Sequence, residues 1–231
     1  AWKYEDEVAY SFGYGMSYVD FDESIVPGSL KVDLKARTVS VDVSVTNNGS
    51  MPAKYVAQLY VQSPYTDYDK GVVQINGTSQ RRVEKSAVQL LSFEKKEIAA
   101  GATETITVTG DLKYVASYDK TAVHTDENGE QLTGGYILEA GDYYFAIGNG
   151  AHAALNNIIA LQGGSFYAEE WETPDASSAV SCDLSDYEGW SDDGNGVNTS
   201  LIAQTSEDGE YVHNRMENAD YNYYKSGTVT Y

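Results

Sequence analysis

At 231 residues with 42% hydrophobic and 12% aromatic content, the chain is long enough for one large domain, or for a domain of ordinary size with a long appendage, and apolar enough for a real core. Its 35 acidic and 15 basic residues leave a formal charge of -20, which repels phosphate backbones and anionic lipid and argues against nucleic acid or membrane as partners. A single cysteine, Cys182, excludes an intrachain disulfide, so the chain does not rely on an oxidising compartment; its location is left open, with a soluble, cytoplasmic setting the nearer expectation.

Residues 1–28 read as a lead-in or junction. The opening Ala1-Trp2-Lys3-Tyr4-Glu5-Asp6-Glu7 is too polar for a signal peptide, and no run along the chain reaches the ~18 apolar residues that span a bilayer. Ser11-Phe12-Gly13-Tyr14-Gly15-Met16-Ser17-Tyr18 sets two glycines between aromatics, which predicts an irregular loop pinned by burial of its rings. From residue 29 the pattern alternates. Leu30, Val32 and Leu34 share one face, then Val39, Val41, Val43 and Val45 do the same, and period-2 valines with polar partners predict strands with one wet face. Asn47-Asn48-Gly49-Ser50 supplies a turn, and residues 53–62 a further strand with Leu59 and Val61 on one face and Gln58 and Tyr60 on the other.

Residues 63–86 are polar and read as a long loop. Strands are expected at 87–95 and 103–109 around the turn Ala99-Ala100-Gly101, a helical turn at 113–118, then a second loop rich in Asp, Glu and Gly, and last strands at 136–139 and 142–148. Short strands at near-regular spacing with glycine turns predict an all-β, antiparallel immunoglobulin or fibronectin III-like sandwich over residues 29–150. Residues 151–161 form a helix stopped by Gly163-Gly164, so 151–164 is a short helical unit. From 165 to 231 Asp, Glu, Ser, Gly and Asn dominate around isolated large residues, the composition of an extended linker or wrapping segment toward a following domain.

Several of these strings form a set. The aromatic–glycine run at 11–18, Val56-Ala57-Gln58-Leu59-Tyr60-Val61, Leu90-Leu91-Ser92-Phe93-Glu94-Lys95 and Gly141-Asp142-Tyr143-Tyr144-Phe145-Ala146-Ile147-Gly148 occur in order over about residues 10–150. Together they resemble the fibronectin type III-like domain of family 3 glycoside hydrolases, chiefly β-glucosidases. Asn218-Ala219-Asp220-Tyr221-Asn222-Tyr223-Tyr224 and Thr228-Val229-Thr230-Tyr231 are similar to the segment entering the catalytic barrel in members where the barrel lies downstream. The resemblance implies a retaining glycosidase as parent, with its nucleophilic Asp on the barrel and its acid/base on an α/β domain. Those two domains of the same polypeptide would be this chain's partners. Neither catalytic motif has a counterpart here, so no catalytic residue carries over, and no cofactor is implied. The departure is the helix at 151–161, which stands where many members have a final strand.

Other candidate residues have plainer roles. The carboxylate pairs Asp67/Asp69, Asp126/Glu127, Glu169/Glu170 and Asp192/Asp193 fall in polar, loop-like sequence where solvated carboxylates are the default, whereas catalysis needs one member buried. Asp192-Asp193-Gly194-Asn195-Gly196 lacks the alternating ligands of a calcium loop, so no metal is expected there. Gly148-Asn149-Gly150-Ala151-His152-Ala153 fits a dinucleotide fingerprint in letters but follows antiparallel rather than parallel strands. His124, His152 and His213 have no ligand spacing with Cys182, whose surroundings would not lower a thiol pKa, and the sequons at Asn48, Asn76 and Asn198 suit an Asn- and Ser/Thr-rich chain without further meaning. Tyr10, Phe12, Tyr14 and Tyr18 are the candidates for interdomain docking. A rival class, a carbohydrate-binding module, would use Trp171 or Trp190 as a sugar platform; a third, an adhesion-type sandwich, has no partner specified by any residue.

Overall fold

The computed structural model describes residues 9–34, 36–125, 131–164, 173–185 and 197–198. In chain order the elements are β1 (Phe21–Ile25), β2 (Lys31–Asp33), β3 (Thr38–Asn47), β4 (Ala53–Gln62), the one-turn helix α1 (Asp67–Lys70), β5 (Val72–Ile75), β6 (Thr78–Arg81), β7 (Gln89–Ile98), β8 (Thr103–Asp111), β9 (Ser117–Thr125), β10 (Gln131–Glu139), β11 (Asp142–Ile147), α2 (Ala151–Gln162), β12 (Ala179–Asp183) and β13 (Val197–Asn198). One sheet carries β8 along one edge of β3 with β1 and β2 sharing the other, and the second runs β12-β11-β4-β7. These pairings are antiparallel.

The two sheets close on the residues that the alternation selects. Val39, Val41, Val43 and Val45 meet Ala57, Leu59, Val61, Ile98, Ile106, Val108, Phe145 and Ile147 in one buried cluster. Each fully buried aliphatic or aromatic side chain contributes roughly 1.5–3 kcal/mol of transfer free energy. Two polar clips set the ends. Asn47, buried at the end of β3, donates from Nδ2 to the Met51 and Ile98 carbonyls at 2.9 and 3.0 Å and accepts from the Gly49 N–H at 2.8 Å, so it binds the β3–β4 turn to the last residue of β7. The Tyr143 hydroxyl donates back to the Glu139 carbonyl at 2.7 Å, a tyrosine corner of the kind sandwiches use where the chain crosses between layers.

The departures from expectation have local causes. The 63–86 stretch is no featureless loop: it holds α1 and the β5–β6 hairpin, whose Asn76-Gly77 tip takes φ 51 and 75°. Residues 117–125 and 131–139 form a second hairpin, so strand replaces both the end of the expected helical turn and much of the expected second loop; only Leu112–Tyr114 is a 3-10 turn. Phe21–Ile25, inside the stretch read as lead-in, pairs with β3. The helix forms as expected, closing with Gly163 and Gly164 N–H groups on the Ala160 and Ile159 carbonyls. It packs Ala154 and Ile158 on Tyr60, Ala146 and Ala179 on the outer side of the second sheet. Beyond the helix, β12 adds to β11, so part of the stretch read as linker completes the sheet edge.

Candidate functional site

The lead-in lies across the outer face of the second sheet, held by its backbone. Gln58 donates to the Gly13 carbonyl at 2.9 Å, the Tyr60 hydroxyl to the Phe12 carbonyl at 3.3 Å, and the Ala151 N–H to the same Phe12 carbonyl at 2.7 Å. Asn149 closes the other side, accepting from the Gly15 N–H at 3.1 Å and donating to its carbonyl at 2.9 Å. Gly13 has φ +84° and a Cβ there would run into the Tyr60 hydroxyl and the Gln58 side chain; Gly150 has φ +119° and a Cβ there would run into the Ser11 hydroxyl and crowd the lead-in backbone at Phe12 and Tyr14. Both positions need a residue without a side chain. Burial pushes the Tyr60 hydroxyl up to about 12, so it stays a neutral donor beneath the lead-in.

With the backbone pinned in this way, the side chains stand outward. Tyr10 is 62% exposed, Phe12 68% and Tyr18 102%, while Tyr14 is half-buried with its ring stacked on Tyr10 at 5.2 Å. The expectation that ring burial pins the loop is thus corrected: hydrogen bonds to the main chain do that work, and the rings of Tyr10, Phe12 and Tyr18 are left exposed. Trp171 and Trp190 lie outside the described residues. The segment 218–231 and the pairs Asp126/Glu127, Glu169/Glu170 and Asp192/Asp193 also lie outside them.

The remaining carboxylate pair is split, and its reading as solvated holds for one member only. Asp67 is fully exposed beside Lys70 at 3.8 Å, whereas Asp69 is buried. Asp69 accepts from the Thr66 N–H at 2.8 Å, one arm of a capping box on α1, and from Lys85 Nζ at 2.8 Å. The same Nζ donates to the Pro64 carbonyl at 2.7 Å and to Glu139 Oε2, while the Thr66 hydroxyl donates to Glu139 Oε1 at 2.6 Å. Burial is the main force on Glu139, pushing its carboxyl up to about 7 against the pull of Lys85 and Thr66. Next to this cluster, buried Asp119 accepts from Tyr68 at 2.5 Å and from Thr121 at 2.7 and 2.8 Å, with Arg82 stacked over the Tyr68 ring at 4.5 Å. Two acidic groups, Asp69 and Glu139, therefore converge out of water. Their shared neighbour is the Lys85 ammonium, whose three protons are all engaged by the Pro64 carbonyl, Asp69 and Glu139. The cluster clamps α1 and β10 to the chain after β6.

Other candidates resolve along similar lines. Cys182 sits half-buried on β12, where burial first and the Asp183 charge second push its thiol pKa up, the reverse of an activated nucleophile. The glycine string 148–153 follows β11, which is antiparallel to both neighbours, so no parallel crossover underlies it. Among the described residues no group of three His, Cys, Asp or Glu side chains gathers at metal-binding distance.

Sandwich, tyrosine corner and lead-in define a fibronectin type III-like domain, and residues 55–151 match the family model of that description. β-Glucosidase A of Butyrivibrio fibrisolvens is 28% identical over 156 residues, 62% of this chain and 16% of that protein. A β-glucosidase of Ruminococcus albus is 29% identical over 151 residues, covering 65% and 13%. The crystal structure of a β-glucosidase from Paenibacillus barengoltzii, 33% identical, superposes with a TM-score of 0.46 over 63% of this chain and 14% of that one. Residues 55–151 thus form a fibronectin type III-like domain similar to a small part of these β-glucosidases, and the chain spans about a sixth or less of the length of the relatives it matches.

Proposed function

We propose that the domain acts as a non-catalytic brace in a β-glucosidase-like enzyme, in which Tyr10, Phe12, Tyr14 and Tyr18 dock against the α/β domain or the catalytic barrel of the same polypeptide. The parent's chemistry would be retaining hydrolysis of O-glycosidic bonds, housed on those other domains. The observation that carries the reading is the contrast within the lead-in: a main chain locked to Gln58, Tyr60 and Asn149, and rings of Phe12 and Tyr18 held out at 68% and 102% exposure. A rigid backbone presenting bulky apolar side chains loses little entropy on docking, which is how a few aromatic anchors come to dominate an interface. In this reading residues 1–28 join a preceding domain, 29–150 are the brace, 151–164 the covering helix, and 165–231 run toward a following domain after lending one strand.

Two measurements test it. The isolated 231-residue chain incubated with aryl β-glycosides should give no turnover above buffer, and enzyme-like rates would refute the proposal. Calorimetry with oligosaccharides should show no saturable heat; a binding isotherm would favour a carbohydrate-binding module instead.

A further inference from the structure

Two buried charge clusters lie side by side under the hairpins, and their charges balance differently. In one, Asp119 of β9 has a cation of its own, Arg82 at 3.7 Å, and receives donors from Tyr68 and Thr121. In the other, two carboxyl groups share a single ammonium. Lys85 Nζ holds Asp69 of α1 at 2.8 Å and Glu139 of β10, and the three side chains are 9, 0 and 2% exposed. The third ammonium proton goes to the Pro64 carbonyl, and Thr66 adds its N–H to Asp69 and its hydroxyl to Glu139. Asp69 Oδ1 is still buried with no hydrogen-bond partner. With both carboxyls ionised, the cluster would hold one surplus negative charge out of water, the situation in which a buried acid takes up a proton. Asp69 and Glu139 are within hydrogen-bonding reach of each other. One proton between them removes the surplus charge and adds a donor to a set that is one short.

The main chain brings a further element to this point. β13 pairs with the end of β10, Val197 opposite Glu139 and Asn198 opposite Leu138. From β11 the Tyr143 hydroxyl, kept neutral by burial, bonds the Glu139 main chain. We propose that the Asp69–Lys85–Glu139 cluster is a proton-operated latch: a proton shared by the two carboxyls holds α1, the end of β10 and β13 in place, and its loss loosens them while the sandwich stays folded. The sign follows from burial, which raises Glu139 from 4.5 to about 7. Opening puts Glu139 in water, where it releases the proton, so opening becomes easier from about pH 4.5 up to about 7 and levels off above.

Hydrogen exchange of the whole polypeptide that the gene encodes tests the latch, read by mass spectrometry at about pH 5 and about pH 8 with times scaled for the base-catalysed chemical rate. Protection of α1, β10 and β13 should fall at least about tenfold at the higher pH, with β3 and β4 unchanged. Glu139→Gln is neutral at both pH values and brings an amide donor, so it should keep β10 protected at both. Asp69→Asn leaves one carboxylate to one ammonium and should do the same, so that a folding failure of either variant leaves the other to decide. Wild-type protection of β10 that ignores pH, or that changes in step with β3, would overturn the latch, as would a pH dependence that survives in both variants. An unchanged β13 beside a loosened β10 would overturn the tail's part in it.

Discussion

Between the sheets, Val39, Val41, Val43 and Val45 meet Leu59, Val61, Phe145 and Ile147 without a charged group among them. Under the side hairpins β5–β6 and β9–β10, Lys85, Asp69, Glu139, Arg82 and Asp119 fill much of the interior, and the apolar share shrinks to Val83, Ala122, Ile137 and the ring of Tyr68. The first region gains stability from area removed from water and tolerates apolar substitutions of about the right volume. In the second, several groups must each keep a partner, since a buried charge left alone is far more costly than a missing methylene. One interior sets the fold; the other fixes one arrangement of loops upon it.

That comparison can be broken at either end. Phe145→Ala, in the fully buried centre of β11, should lower global stability by about 3–5 kcal/mol in denaturant melts, with all probes moving together. Lys85→Met should also cost about 3–5 kcal/mol, because it strands Asp69 and Glu139 without their cation, but the loss should concentrate in the side hairpins. Hydrogen exchange on β5, β6 and β10 should rise before exchange on β3 does. The double variant Lys85→Met/Glu139→Met should recover part of that loss, and a strictly additive outcome would contradict a coupled network.

A smaller effect is expected from pH. Glu139 is raised from 4.5 to about 7 by burial, with Lys85, Asp69, Thr66 and Tyr143 around it. A folded-state pKa above the unfolded one means that folding takes up a proton between those values. Its contribution is therefore present below about pH 4.5, is lost as pH rises toward 7, and is flat above. Glu139→Gln should remove that part of the slope in melts across the window; an unaltered slope would place the titration elsewhere.

How much of this was legible in the sequence follows from the same contrast. The valine alternation at 39–45 and the opposed faces of residues 53–62 were readable because one face of a strand must be apolar when its sheet packs on another. The side hairpins were legible only at 136–139, the end of β10, because their inward groups are the charged residues that composition assigns to solvent: Asp69 and Glu139 look no different in a string from exposed Asp67. Strand β12, Ala-Val-Ser-Cys-Asp, is too short to show its period amid acidic sequence. In the lead-in aromatics suggest burial, and only the pairing of main chain with Gln58, Tyr60 and Asn149 explains how Tyr10, Phe12 and Tyr18 come to be exposed.

The docking claim is tested most directly by hydroxyl-radical footprinting of Tyr10, Phe12, Tyr14 and Tyr18 in the isolated 231-residue chain and in the whole polypeptide that the gene encodes. In the isolated chain Phe12 and Tyr18 should label strongly while buried Tyr143 stays protected. In the whole polypeptide Phe12 and Tyr18 should fall toward the Tyr143 level. Equal labelling of Phe12 and Tyr18 in both would contradict the account.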